Sequence, residues 1–287
     1  MKRILTIAGS DSGGGAGIQA DLKTITLLGG YGMSVITALT AQNTLGVQDI
    51  FEVPAYFVER QMDAVLSDIG VDAVKTGMLV SQEIIEVISN IITQYKIKKL
   101  IVDPVMLSKN GAFLLRKEAR EAFVRQILPL AWVITPNLME ASVLTGLKVN
   151  SLEGMKRAAH QIHALGARHI VVKGGHLRGK PVDLLYNGKT LVEIRGPRIR
   201  VKNTHGTGCT FAAAVATQIA LGETVEEAVR KAKRFITRAI QSGLDLGKGI
   251  GPVNPAFILK DIERRYHTEM GSAQRFTCEP GRGEGGA

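Results

Sequence analysis

Apolar, largely β-branched runs recur along the chain at positions 4–8, 34–39, 71–77, 98–105, 131–137 and 168–175. Strands covered on both faces read this way, as near-continuous apolar segments rather than alternating ones. Between them, residues 56–69, 82–95 and 152–165 carry apolar side chains at helical spacing. Repeated strand-then-helix order predicts an α/β sandwich, a mainly parallel sheet with helices on both sides. The alternation changes at 183–194, DLLYNGKTLVEI, where two short strands flank an Asn-Gly pair and predict an antiparallel edge hairpin. Residues 224–242 open with a T-V-E-E capping box and stop at Gly243, so they read as one helix.

Composition narrows the picture without deciding function. The 287 residues are 45% hydrophobic and 22% charged, which suits a globular protein with a large core in one domain or two small ones. No linker or repeat interrupts 1–265, and the Gly- and charge-rich 266–287 reads as a flexible tail. With 32 glycines and only 5% aromatic residues, the chain favours tight turns over an aromatic-lined nucleic-acid groove. A net charge of +10 attracts nucleic acid, anionic lipid or a phosphorylated small molecule alike. Cys209 and Cys278 have no CxxC or His partner, so neither a disulfide framework nor a zinc site is expected, and a reducing cytoplasm is. The opening MKRILTIAGS has too short an apolar stretch for a secretory signal, and no segment is expected to cross a membrane.

Chemistry is expected in the loops that leave the carboxyl ends of the strands. GSDSGGGAG, 9–17, precedes a helix and reads either as a tight turn or as a small-molecule site. As a dinucleotide loop it fails, since Ile18 stands where the third glycine belongs and no acid follows the second strand. Gln42, in AQNT, offers a donor and an acceptor side by side, which suits a heterocycle edge, while Asn43 reads as a turn cap. Asp103 stands between an apolar strand and a proline. Asn137 and Glu140 share the first turn of a helix, where Asn137 caps and Glu140 either balances the dipole or holds magnesium through water. Lys173 leaves a strand beside two glycines, placed to reach phosphate; His176 and His205 read as polar loop residues.

The stretch NTHGTGCTFAAAVA, 203–216, reads as a helix start stripped of side chains. The N–H groups of Gly206, Thr207, Gly208 and Cys209 are expected to form an anion hole, with small residues letting the helix lie close to the sheet. An anion hole supplies the positioning and charge stabilisation that phosphoryl transfer needs. The same N–H groups would favour a Cys209 thiolate, which makes Cys209 a base or an orienting group; as a small packing residue it would fit equally well.

Taken together, AGSDSGGGAGIQADLKT, ITALTAQNT, VKTGML, VDPVM, ITPNLMEA, VKGGH and NTHGTGC resemble the hydroxymethylpyrimidine and phosphomethylpyrimidine kinase family of thiamin biosynthesis, within the ribokinase-like superfamily. The resemblance runs from about residue 4 to about residue 254, and it implies a ribokinase-like three-layer α/β/α sandwich. It also implies ATP and Mg2+ as cofactors, and phosphorylation of 4-amino-5-hydroxymethyl-2-methylpyrimidine and then of its monophosphate. Residue by residue, Gln42 matches the glutamine on the aminopyrimidine, and Gly9, Asp21, Met78 and Val105 match positions lining the pyrimidine pocket. Asn137 and Glu140 match the NxxE motif that arranges magnesium and triphosphate, with Asp103 beside the metal. Lys173 matches a phosphate-side residue, and 206–209 match the anion hole. Sugar kinases of the superfamily carry an aspartate where this chain has Cys209, a cysteine that some pyridoxal kinases share. Pyridoxal kinase therefore stands as the alternative. A homodimer acting on small molecules, without nucleic acid or membrane, is the expected assembly.

Two readings from other classes remain at this stage. One is a Rossmann-type oxidoreductase using the first glycine loop. The other is a nucleic-acid binder using Arg230, Lys231, Lys233, Arg234 and Arg238, which otherwise form a solvated helix face.

Overall fold

In the computed structural model, residues 1–106, 115–177, 179, 181–260 and 262 are described, and the tail with Cys278 lies outside them. Met1–Pro255 forms one unit and a second begins at Ala256. The first is built on a nine-stranded sheet of order β3-β2-β1-β4-β5-β6-β7-β8-β9. Its strands are β1 (Lys2–Asp11), β2 (Gly30–Asn43), β3 (Gly46–Glu52), β4 (Ala73–Thr76), β5 (Leu100–Val102), β6 (Val133–Ile134), β7 (His169–Val172), β8 (Val182–Tyr186) and β9 (Leu191–Arg195). The six expected apolar runs became β1, β2 and β4–β7, which pair in parallel. The pairings β2–β3, β7–β8 and β8–β9 at the two sides of the sheet are antiparallel, so β3 and β8 run against the other strands.

The helices are α1 (Gly17–Leu27), α2 (Ala55–Asp68), α3 (Gln82–Gln94), α4 (Lys117–Ala122), α5 (Leu138–Thr145), α6 (Leu152–Ala164), α7 (Thr207–Ala220) and α8 (Val225–Gln241). Along β1, Leu5 and Ile7 join the core beneath α2–α6, with Val58, Ile88 and Met155 among their neighbours in that cluster. Thr6 turns to the opposite face, where it meets Asp21 of α1. There α1 packs on α7 and α7 on α8, completing the three layers. Ala212, Ala213, Ala214 and Ala216 of α7 are all buried, so side chains of one methyl group bring that helix onto β1, β4 and β5.

Two details depart from expectation. Strand β3 went unread because its residues are almost wholly exposed on both sides, and neither an alternating nor a continuous apolar pattern marks such a strand. The 183–194 hairpin forms, but through four residues rather than two, since Tyr186 pairs with Leu191. Asn187 closes that loop by accepting the N–H groups of Lys189 and Thr190.

Candidate active site

The chain passes from β1 to β2 on one side of the sheet and then to β4 on the other, so the strand order reverses at β1. In open α/β sheets such a reversal leaves a crevice at the carboxyl ends of the strands. The loops after β1, β2, β4, β5, β6 and β7 all emerge there and carry the candidate residues.

The two glycine stretches meet. Gly206 caps α7 with φ of 79°, and a Cβ there would lie 1.8 Å from the Gly15 carbonyl oxygen. Gly17 begins α1 with its own Cα against Gly9, since a Cβ would lie 2.3 Å from Gly9 O. The Gly17 N–H lies near enough to the Cys209 thiol to pull its pKa down. Gly9 in turn faces Met78, whose Cε would be 2.5 Å from an added Cβ. Val105 follows β5 beside β4, where the Val105 N–H reaches Asp103 O at 2.8 Å and the Asp103 N–H reaches Thr76 O. Gly9, Met78, Val105 and Cys209 thus gather around the ends of β1, β4 and β5.

Beneath them lies a buried ion pair. Lys75 Nζ donates to Asp21 Oδ2 at 2.8 Å and Thr6 Oγ1 to the same oxygen at 2.6 Å, with both charged side chains fully enclosed. Burial raises the Asp21 pKa, against the pull of Lys75 and Thr6. Burial alone would lower the Lys75 pKa, but Asp21, Cys209 and Asp103 outweigh it and hold the ammonium charged. Asp21 Oδ1 is buried with no hydrogen-bond partner among the described residues.

A second charged group sits beside the start of α7. Lys173 Nζ donates to Asp103 Oδ1 at 3.0 Å, and a Cβ on Gly208 would lie 3.3 Å from Asp103 Oδ2 and 3.5 Å from Lys173 Nζ. Burial works against the Lys173 ammonium, yet Asp103 and Glu140 raise its pKa overall. Asn137 caps α5 by accepting the N–H groups of Met139 and Glu140, while Glu140 Oε2 accepts from Asn137 N at 2.8 Å. Burial pushes the Glu140 carboxyl up to about 7, with Lys173 opposing the rise and Asp103 adding to it. Asn137 is tied to Lys173 by a backbone bridge, so the three loops form one cluster.

Two expectations about 206–209 need correction. Thr207 N–H is directed to Thr204 O at 3.4 Å and so is not free for an anion; Gly208 and Cys209 N–H have no acceptor among the described residues. The Cys209 thiol is not acidified. Burial pushes it up to about 11, more than Lys75 and the Gly17 N–H pull it down, because desolvation of a thiolate outweighs a helix N-terminus.

Sequence reasoning missed Lys75, Asp11 and His205. Lys75 had a legible signal, a lysine inside an apolar strand. Asp11 accepts the N–H groups of Gly13, Gly15 and Ala16, and its Oδ2 lies 2.9 Å from His205 Nε2. Burial works against the Asp11 carboxylate, but His205 and these amides hold its pKa below the usual value. Gln42 Nε2 lies 3.2 Å from the same His205 nitrogen, and Asn43 caps its turn through Leu45 N as expected. On α8, Arg230, Lys231 and Arg234 pair at the surface with Glu226, Glu223 and Glu227, as a solvated face would, whereas Lys233 turns inward onto the buried Asp183 and departs from that reading.

A strand-end crevice that joins a free helix start to a Lys–Asp–Glu cluster, with the buried Lys75–Asp21 pair beneath, defines a phosphotransferase on a ribokinase-like fold. The model of the phosphomethylpyrimidine kinase family matches residues 11–254, and the chain belongs to that family. It is 53% identical over 263 residues to the thiamine biosynthesis bifunctional protein ThiED of Geobacter sulfurreducens, a match covering 91% of this chain and 54% of that protein. The chain therefore spans about half the length of that relative. It is 50% identical over 256 residues to the hydroxymethylpyrimidine/phosphomethylpyrimidine kinase of Streptomyces coelicolor, covering 89% of this chain and 95% of that one. Among solved structures, an ADP complex of Bacillus subtilis pyridoxal kinase superposes with a TM-score of 0.85 at 42% identity, covering 90% of this chain and 98% of the other.

Proposed function

We propose that the chain transfers the γ-phosphoryl group of ATP to the hydroxymethyl oxygen of 4-amino-5-hydroxymethyl-2-methylpyrimidine, and then a second group to the monophosphate. The observation that carries this reading is the pair of N–H groups of Gly208 and Cys209, without an acceptor among the described residues, at the start of α7 beside the Lys173–Asp103 ion pair. Those donors suit a phosphoryl group, and the family match supplies the class of acceptor. The alcohol oxygen attacks phosphorus in line, the bond to the β-phosphate oxygen breaks, ADP leaves, and the hydroxyl proton is lost to phosphate or water. Gly208 and Cys209 N–H hold the equatorial oxygens, and Lys173 meets charge on the transferred group. With its proton in place at neutral pH, Cys209 orients the hydroxyl rather than accepting its proton.

The donor set also suits magnesium. Among the described residues no three His, Cys, Asp or Glu side chains form a metal cage, but Asp103 and Glu140 offer two carboxylates beside the anion hole. Mg2+ takes one or two carboxylates and fills its remaining positions with waters and phosphate oxygens. Such an ion would supply charge neutralisation of the triphosphate.

The match to pyridoxal kinase supports a second reading in which pyridoxal is the acceptor. ADP release with each acceptor separates them: turnover with the pyrimidine alcohol and its monophosphate, exceeding that with pyridoxal, is the expected result. Turnover with pyridoxal alone would overturn the substrate and leave the kinase standing. We further propose that the chain works as a dimer joined through the β3 edge, where a second copy would cover the exposed Val47, Ile50 and Phe51.

A further inference from the structure

We propose that His205 is a positioning residue that fixes which way round the Gln42 carboxamide faces, and so sets the pattern of donor and acceptor shown to the substrate ring. This rests on the reading that Gln42 meets the ring. The imidazole is held rigidly. His205 N–H donates to Gly251 O and its carbonyl accepts from Val253 N, each at 3.0 Å. Its ring lies so close to Gly15 that a Cβ there would be 2.5 Å from His205 Cδ2 and 3.1 Å from Pro252 Cβ.

The protonation of Nε2 then follows from Asp11. That carboxylate is nearly buried and already accepts three backbone N–H groups, so it remains ionised and can only accept. At 2.9 Å from Asp11 Oδ2, His205 Nε2 must therefore carry a hydrogen. A carboxamide NH2 placed 3.2 Å from that nitrogen would set donor against donor. Turning the amide by 180° exchanges its oxygen and nitrogen without moving heavy atoms. In the turned form Oε1 shares the His205 N–H with Asp11. Gln42 Nε2 then donates to Thr40 Oγ1, whose own hydrogen goes to Ser10 O at 2.9 Å. Every donor on this path meets an acceptor.

The consequence is polarity. The second N–H of Gln42 emerges on the Thr40 side and the free lone pair of Oε1 on the His205 side, in an order that only one edge of a ring complements. An aminopyrimidine edge sets an exocyclic N–H beside a ring nitrogen and meets that order; a ring without this adjacent pair does not. Asp11 and His205 thus tie the first glycine loop, the start of α7 and ring selection into one unit.

Steady-state kinetics with the pyrimidine alcohol and with pyridoxal test this. His205→Met removes the donor, and KM for the pyrimidine should rise about tenfold, with kcat little changed and pyrimidine-over-pyridoxal selectivity falling by the same factor. His205→Gln restores an N–H at the Nε2 position and should recover most of that selectivity. Wild-type selectivity in His205→Met, or an equal loss of kcat on both substrates that His205→Gln does not recover, overturns the proposal. Gln42→Ala separates the two layers: an unchanged pyrimidine KM would sink the reading of Gln42 itself, whereas a raised KM with an inert His205→Met would sink only the orienting role. Should His205→Met not fold, nuclear Overhauser contacts of the wild-type Gln42 amide protons decide: contact with the Thr40 methyl supports the proposal, and contact with the His205 ring overturns it.

Discussion

Cys209 shows why a residue's neighbours decide its chemistry. A helix start lowers a thiol pKa when the thiol is solvated, but here burial dominates and the value is pushed up to about 11. Alkylation of Cys209 by iodoacetamide, followed by mass spectrometry, should accelerate about tenfold per pH unit between pH 8 and 10. If kcat rose with it, the thiolate would be the base; a kcat that stays flat fits an orienting thiol. Glu140 gives the same electrostatic lesson, a carboxyl whose burial raises its folded pKa to about 7 from 4.5. Its folded form keeps the proton longer than the unfolded chain does. The stability attached to that proton is complete below about pH 4.5 and is lost as pH rises through 7, at roughly 1.4 kcal/mol per unit within the window. Urea denaturation of wild type and Glu140→Gln should therefore diverge from pH 5 to 8, with the wild type losing about 2–3 kcal/mol relative to the variant. Parallel curves would show that Glu140 ionises normally.

At the scale of elements, the contact between the two glycine loops sets the geometry of the site. Gly206→Ala meets two obstacles, a φ of 79° and a carbonyl 1.8 Å from the new Cβ. Gly146 of the α5 terminus has a similar φ of 71° and nothing within 4 Å, which makes it the control. Both variants should lose about 1–2 kcal/mol to the left-handed conformation, but only Gly206→Ala should also lose kcat/KM, since only it pushes α7 away from Gly15. Equal kinetics in the two variants would remove the loop contact from the mechanism. This contact also marks the limit of what the chain reveals by itself. Parallel strands were legible because both faces are buried, and the Asn137 cap because its capping box is local. The pairing of Asp11 with His205 joins positions 194 residues apart, and no periodicity carries that distance. Cys209 was legible as a location, with an acidified thiol and a packing residue fitting equally; its raised pKa was not legible, because burial sets it, with Asp21 and Asp103 adding and Lys75 opposing from other parts of the chain.

For the whole molecule, the sheet ends on one side in an edge strand that exposes apolar side chains. Val47, Ile50 and Phe51 of β3, together with Leu39, Leu45, Tyr56 and Phe57, are all exposed, Phe51 and Leu45 at 67% each. An exposed apolar edge invites pairing with another strand, and natural proteins blunt such edges unless something covers them. No proline falls within β3, and only Asp49 and Glu52 carry charge along it. The occupant that fits is a second copy: an edge strand can pair antiparallel with itself about a twofold axis, which brings the same apolar side chains together from both sides. Val53 then leads directly into α2, so Tyr56 and Phe57 would extend the same surface. Phe51→Asp sets like charges against each other across the axis, and light scattering should show a protein of half the wild-type mass with an unchanged far-ultraviolet spectrum. A wild type that scatters as a monomer at micromolar concentration would remove the dimer, and a Phe51→Asp variant that remains dimeric would move the interface to another face.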